Sequence, residues 1–401
     1  MTAVDTLTTG EPMGDERRGT DVPGDGSVLR SLAAEGVSVW LAGVGRPELV
    51  DGSLRTWVAD AYITGVVLSA SAMTRELRRH GDHAYLEQLG LLARRRASPE
   101  EIVRALSAYD ARWACDLLAP VHEAAEGLDG WVCAELDARL ADDGPSTLEE
   151  VRALALAVNR PNLLVTVAAT DAGLDVVRAC AAEGIGVYVA PLHSVERYGE
   201  VLDAGWEGLE RAHRAGRTVR GACVAALDVA AVEAAVDRRL GGPDDSPDAA
   251  GLRGRTALAL ARVAYDLHER GLDSCRWRTL RHAGARPQRL VWSGASRGDD
   301  VDSDEPDTGV RHVEEIVAWR TTHLLSPRAV AEAARRARPR GDSLSGEAPA
   351  AHDTVAALRR RGIDLGRLGA DLDRLRLRQR VRDRAELLDA VRDTPCVREY
   401  L

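Results

Sequence analysis

The sequence predicts an α/β chain folded as a (β/α)8 TIM barrel, a single domain carrying extra helices. Three observations carry that expectation. Short apolar runs alternate with long amphipathic stretches, the pattern of repeated βα units. Eight such runs occur along the chain, which favours closure over an open sheet. No internal repeat or linker divides the 401 residues.

In chain order, residues 1–28 mix Gly, Pro, Thr and acids with no apolar stretch, and read as a flexible tail rather than a signal peptide. The barrel with its C-terminal helices takes up residues 29–401. Strands are predicted at Val37–Leu41, Ile63–Leu68, Trp131–Leu136, Asn162–Ala168, Gly186–Pro191, Gly221–Leu227, Arg289–Ser293 and Val310–Val317. Most are short and apolar on both sides, as a parallel strand buried on two faces requires. Helices are predicted at Leu148–Val158, Ala172–Ala182, Ser194–Arg214 and Leu252–Glu269, with starts marked at Ser98 and Ser146. A helical insertion, Thr74–Glu123, separates the second and third strands. The acidic, Gly- and Ser-rich stretches Gly241–Ala250 and Arg297–Asp307 read as mobile loops. From Thr354 onward the pattern is of helices packing outside or across the barrel.

The net charge of −10 disfavours nucleic acid and anionic membrane as partners. No apolar run approaches the roughly 20 residues of a membrane span, so the expected location is the cytoplasm. The run from Arg374 to Arg382 is the local exception and reads as the solvated basic face of a helix. Six scattered cysteines lack any CxxC spacing, and His80 and His83 lack partners at ligand spacing. No metal and no organic cofactor is expected.

Two absences are more informative. The chain has no Phe, and it has no lysine, so all 53 Lys and Arg residues are Arg. Imine chemistry needs a nucleophilic amine, and a guanidinium stays protonated and does not serve. Only the α-amine of Met1 remains, at the end of the tail.

Several stretches resemble the bacterial-type transaldolases of the class I aldolase superfamily. They include Gly81-Asp82, Tyr85 to Leu89, Ala134-Glu135-Leu136-Asp137, Arg160-Pro161-Asn162-Leu163 and Ala169-Thr170. Others are Ser194-Val195-Glu196-Arg197-Tyr198, Val236-Asp237, Gly284 to Arg289 and Arg340-Gly341-Asp342. The resemblance runs in order over residues 30–346 and implies the barrel fold. Fold alone does not carry function.

The same resemblance exposes gaps. Where the family places a lysine in a pattern like NLFIKIPAT, Asn162-Leu163-Leu164-Val165 leads to Thr166. The first-strand acid falls on Ala42, and the TTNP motif on Val67 to Ala70. The fifth-strand Thr falls on Tyr188 or Ala190. An SFFVSR-like stretch becomes Ala226 to Ala231, losing a Ser and an Arg that the resemblance assigns to substrate phosphate. Of the acid/base set only Glu135 survives.

Strand alternation aims Ser69, Cys133, Glu135, Thr166, Tyr188 and Asp228 inward or at the mouth formed by the strands' C-terminal ends. Asp228 stands where the family has an apolar aromatic. Two carboxylates in one pocket would drive one pKa up, making Glu135 and Asp228 an acid/base pair. The alternative puts Asp228 at the rim with solvent or a loop arginine. Tyr188 is a candidate general acid or filler, and Cys133 is core. The candidate catalytic set is Glu135, Asp228 and Tyr188, and the candidate substrate-binding set is Ser69, Thr166, Arg297, Ser293 and His193.

Three readings compete. The favoured one is a repurposed enzyme running imine-free lyase, cyclase, hydrolase or isomerase chemistry on a small polar metabolite in specialised metabolism. The second is an inactive pseudo-transaldolase that binds a metabolite or a protein partner. An active transaldolase ranks last. Expected partners are a small-molecule ligand, phosphorylated or not, with the chain a monomer or homodimer.

Overall fold

A computed structural model describes residues 27–59, 63–79, 84–241, 247–294 and 308–400. Eight parallel strands close a barrel in sequence order. They are β1 Ser38–Val44, β2 Gly65–Leu68, β3 Trp131–Glu135, β4 Leu163–Val167, β5 Val187–Leu192, β6 Cys223–Asp228, β7 Arg289–Ser293 and β8 Thr321–Leu325. The principal helices are α1 Ser27–Ala34, α2 Ala70–Leu77, α3 Pro99–Ala124, α4 Gly144–Val158, α5 Asp171–Glu183 and α6 Val195–Arg214. They continue with α7 Val229–Leu240, α8 Thr256–Leu272, α9 Thr308–Glu315, α10 Pro327–Arg336, α11 Ala348–Arg360 and α12 Leu365–Asp393. Between β2 and β3 the insertion holds α2, a helix at Leu86–Arg94, and α3.

Seven expected strands overlap observed ones, and the eighth does not. Val310–Val317 falls on α9 and the turn after it. Its buried residues Val313, Ile316 and Val317 recur at helical spacing, with Glu314 and Glu315 between them. The true last strand, Thr321-Thr322-His323-Leu324-Leu325, hides its character behind three polar side chains, all buried. His323 Nε2 is bonded to the Ile316 carbonyl oxygen at 2.9 Å, and burial pushes the ring's pKa down to about 4.

Smaller differences have local causes. α1 takes in Ser27 and Val28, which the sequence assigns to the tail. α4 begins at Gly144 and not at Ser146, because Asp143 is the N-cap and accepts from the Ser146 N–H at 3.1 Å. The start at Ser98 is confirmed with a full capping box to Glu101. Residues 242–246 and 295–307, which contain most of the two expected loops, lie outside the described residues, as do 1–26.

One core packs the outer faces of the strands against the helices, and a second fills the barrel. The inner cluster holds Trp40, Trp131, Cys133, Leu164, Tyr188, Val224, Ala226 and Val291. Below it, at the strands' N-terminal end, Asp129 accepts from Trp40 Nε1 at 2.9 Å and faces Arg289 at 3.3 Å. Above it, two residues further along each strand, the same inward face carries Ala42, Glu135, Thr166, Ala190, Asp228 and Ser293.

Candidate active site

The upper layer is assembled by strand register. Glu135 pairs with Thr166 across β3 and β4, Thr166 with Tyr188 across β4 and β5, and Asp228 with Ser293 across β6 and β7. Glu135 is half-buried, and its Oε2 accepts the Ala70 N–H at 3.0 Å. That amide opens α2, so the helix end favours the carboxylate's charge. Ser69 is the N-cap of α2: its hydroxyl accepts from Ala72 N–H and lies 2.8 Å from that of Ser71. Thr166 is 5% exposed, and its hydroxyl has no hydrogen-bond partner.

A cavity of about 70 Å³ opens beside this layer, lined in part by Ser69, Ser71, Glu135, Asp110, Arg380 and Arg384. It is well short of the roughly 300 Å³ at which small-molecule sites begin. The reason is α12, which crosses the mouth from the β6 side to the β3 side. Asp373 Oδ1 meets His193 Nδ1 at 2.6 Å, and Arg376 stands 3.7 Å from Asp228. Arg380 stands 3.6 Å from Glu135 and donates to the Ala190 carbonyl at 3.2 Å, and Arg384 donates to Asp137 at 3.3 Å. Gly369 permits the close approach: a Cβ there would lie 2.6 Å from the His193 carbonyl oxygen.

This geometry corrects the expected acid/base pair. Asp228 and Glu135 are held by different partners. Asp228 caps α7 by accepting the Ala231 N–H at 2.9 Å, and its other oxygen faces His193 Nε2 at 3.8 Å. Burial pushes its pKa up, but His193, the Ala231 amide and Arg376 outweigh burial and hold it below the ordinary Asp value. It is an anchored carboxylate, with the arginine supplied by a helix and not by a loop. His193 is fully buried; burial disfavours its protonation, but the carboxylates of Asp228 and Asp373 raise its pKa above the usual value.

Tyr188 lies in the inner cluster with its ring centroid 6.4 Å from that of Trp40, and burial drives its pKa far up, which suits filler and not a general acid. Cys133 is likewise buried core with its pKa raised by burial. Ser293 ends β7 in register with Asp228 and is buried. Arg297 lies outside the described residues, as do His80 and His83. Among the described residues no cluster of His, Cys, Asp and Glu is arranged to hold a metal ion.

Sequence reasoning missed the contribution of α12. The run from Arg374 to Arg382 is not one solvated face: Arg374, Arg378 and Arg382 are exposed, whereas Arg376 and Arg380 point at the mouth. The available signal was spacing. Asp373, Arg376, Arg380 and Arg384 recur at intervals of three and four, which puts four charges on one helix face.

Residues 52–390 match the family model described as Transaldolase/Fructose-6-phosphate aldolase. A protein named Transaldolase from Thermobifida fusca is 40% identical over 367 residues, covering 91% of this chain and 98% of that one. Another from Acidothermus cellulolyticus is 38% identical, covering 86% and 91%, and one from Mycolicibacterium smegmatis is 36% identical, covering 84% and 89%. These relatives overturn the favoured reading of a barrel turned to imine-free chemistry in specialised metabolism, and equally the inert binding module. Proteins named Transaldolase match the chain over nearly their whole length. They point to an active transaldolase, the reading that the side-chain inventory ranked last.

Proposed function

The chain belongs to the transaldolase/fructose-6-phosphate aldolase family, and from that premise we propose that it is a transaldolase, acting on a phosphorylated ketose at the mouth under α12. The observation that carries the reading is the unbroken similarity to named transaldolases across the whole barrel. The mouth supports it with a carboxylate, Glu135, held by a helix N-terminus and next to an arginine, for moving protons. The Thr166 hydroxyl beside it has its hydrogen-bonding capacity unspent. Among the described residues no helix is long and apolar enough to cross a membrane, and we place the protein in the cytoplasm as a monomer or homodimer without nucleic-acid partners.

The side-chain inventory sets one condition on this reading. There is no ε-amino group in the 401 residues, and Thr166 occupies the place the resemblance assigns to lysine. An imine to the ketose therefore uses an amine other than a side chain of this chain.

The test combines two measurements. Purified protein is given fructose 6-phosphate and an aldose phosphate acceptor, and transfer of the three-carbon unit is followed. In parallel, borohydride is added with fructose 6-phosphate and the intact mass is read. Transfer with an adduct on the α-amine supports the reading and locates the nucleophile. Transfer without an adduct supports the activity and excludes an imine on the chain. Absence of transfer at any protein concentration defeats the proposal.

A further inference from the structure

Each charge on the inner face of α12 meets an opposite charge on the barrel, though Asp228 also faces His193 and Asp137 also binds Arg139. Asp373 meets His193, Arg376 meets Asp228, Arg380 meets Glu135 and Arg384 meets Asp137. The four barrel partners come from the ends of β3, β5 and β6 and the turn after β3, so a single helix face ties together these sides of the mouth. This matching argues against a free anion site, since each guanidinium already faces a carboxylate. It also leaves two of the contacts loose. At 3.6 and 3.7 Å, the Arg380–Glu135 and Arg376–Asp228 pairs are ion pairs without a hydrogen bond between them. Among the described residues the Arg376 guanidinium makes no hydrogen bond.

The helix's apolar anchoring lies in its first two turns, where Leu365 and Leu372 pack partly buried on the core beside Leu368, and at its finish. Leu368 is buried near its start, and Leu387, Leu388 and Val391 are buried near its finish, the last three packing on Met73, Leu89 and Ile102. Between Gly369 and Leu387 none of its residues is fully buried; Leu372 packs partly buried on the core, and beyond it the charged contacts reach the barrel. The cavity beside its Arg380–Leu387 part, against β2, β3, α2 and α3, is about 70 Å³, small for a ligand of sugar-phosphate size, and Thr166 does not line it. A ligand of that size that extends from Glu135 to the buried Thr166 must displace this segment.

We propose that α12 is a releasable strap: its four charged rungs close the barrel mouth, and their rupture, favoured by ionic strength, admits the ligand. The strap controls access to the mouth and so rests on the mouth being the ligand site. Screening is the physical lever. Between about 0.1 M and about 1 M salt the screening length falls from roughly 10 to roughly 3 Å, which weakens the partly exposed Arg376 and Arg380 pairs most and spares apolar anchors. The segment between the anchors then opens while the ends stay docked, a hinged closure of the kind seen around many ligands.

The experiment is hydrogen exchange on the full chain, reading amides 370–386 against those of α6 as an internal control. The triple variant R376Q/R380Q/R384Q is expected to exchange about tenfold faster in that window at low salt, with α6 unchanged. The wild type in about 1 M NaCl should approach the same rates. R374Q/R378Q/R382Q removes the same number of charges from the exposed face and should behave as the wild type. Gly369→Ala, whose Cβ would clash with the His193 carbonyl, should loosen the strap with no change of charge. Equal exchange in the inward and outward triple variants, or wild-type protection insensitive to salt, overturns the proposal. Binding of fructose 6-phosphate is measured alongside, and should quicken in the inward triple variant. A chain that binds no fructose 6-phosphate in any form refutes the sugar-phosphate reading, while the exchange rates still decide the strap.

Discussion

The two ends of this barrel use the same kinds of side chain to opposite effect. At the floor, Asp129 accepts from Trp40 Nε1 and Gly130 N–H and is bonded to the Ser38 hydroxyl, and Arg289 reaches Ser38 at 2.7 Å and the Leu128 carbonyl. Asp129 and Arg289 are 11% and 14% exposed, and all of their bonded partners are fixed by strands or tight turns. At the mouth, the arginines come from one helix; Arg376 and Arg380 stand 3.7 and 3.6 Å from their carboxylates and Arg376 is 41% exposed, whereas Arg384 is held at 3.3 Å like Arg289. The floor is closed and densely bonded, with Arg289 Nε its one spare donor among the described residues, whereas the Arg376 and Arg380 pairs at the mouth are slack. That division is the one expected when stability is built at the N-terminal end of a barrel and ligand chemistry at the C-terminal end.

The strongest way to break this comparison is to give the mouth the group it lacks. Thr166→Lys places an ε-amine on the inward face of β4, next to Glu135 in register. Burial there would depress the amine's pKa and leave it nucleophilic. The expected outcome is a borohydride-trapped adduct with fructose 6-phosphate that maps to position 166, where the wild type has no side-chain amine. A well-folded variant with no adduct would mean that the ketose never reaches this face, and the mouth would lose its claim to be the site.

The floor is broken by Asp129→Ala. Removing one partner of an enclosed ion pair leaves Arg289, Trp40 Nε1 and Ser38 without their acceptor, at a cost of about 3–5 kcal/mol. Urea unfolding should show this loss. A cost below that of Arg380→Gln at the mouth would reverse the contrast.

A smaller effect is expected at His193. Its pKa is raised in the fold, so its contribution to stability is complete below the unfolded value and is lost as the pH climbs through the raised one. Asp228 runs the other way: its pKa is lowered, and its contribution disappears as the pH falls through that lowered value. The pair is strongest between the two. His193→Asn should therefore cost about 1–3 kcal/mol near neutrality and clearly less at high pH. A pH-independent difference would show that the ring acts by packing alone.

Much of the barrel was legible because its chemistry is regular. Seven strands announced themselves as short apolar runs, and the inward positions Glu135, Thr166 and Asp228 followed from alternation. The eighth strand did not, since Thr321, Thr322 and His323 give it a polar face that only burial between β7 and β1 explains. The fate of Asp228 was also illegible. Its partners, His193 and Arg376, lie 35 and 148 positions away, and nothing local says that a C-terminal helix returns over the mouth. Composition misled in the other direction: the missing lysine was read as the loss of the family's reaction, whereas similarity across the whole chain points back to it.

The finest test separates two arginines two positions apart. Arg380 and Arg378 share a helix, a charge and a length, so their propensities for helix are equal. Arg380 donates to the Ala190 carbonyl at 3.2 Å and faces Glu135, whereas Arg378 is exposed. Gln in place of Arg380 forfeits a charged donor to a half-buried carbonyl, an expected loss of about 1 kcal/mol. Gln in place of Arg378 changes only a solvated charge and should stay within about 0.5 kcal/mol of the wild type. Because the two substitutions are chemically identical, the difference between their unfolding midpoints isolates what facing the mouth adds. Equal midpoints would mean that the mouth pairs contribute nothing to the closed state, and that α12 is held across the barrel by Leu365, Leu368, Leu372, Leu387, Leu388 and Val391 alone.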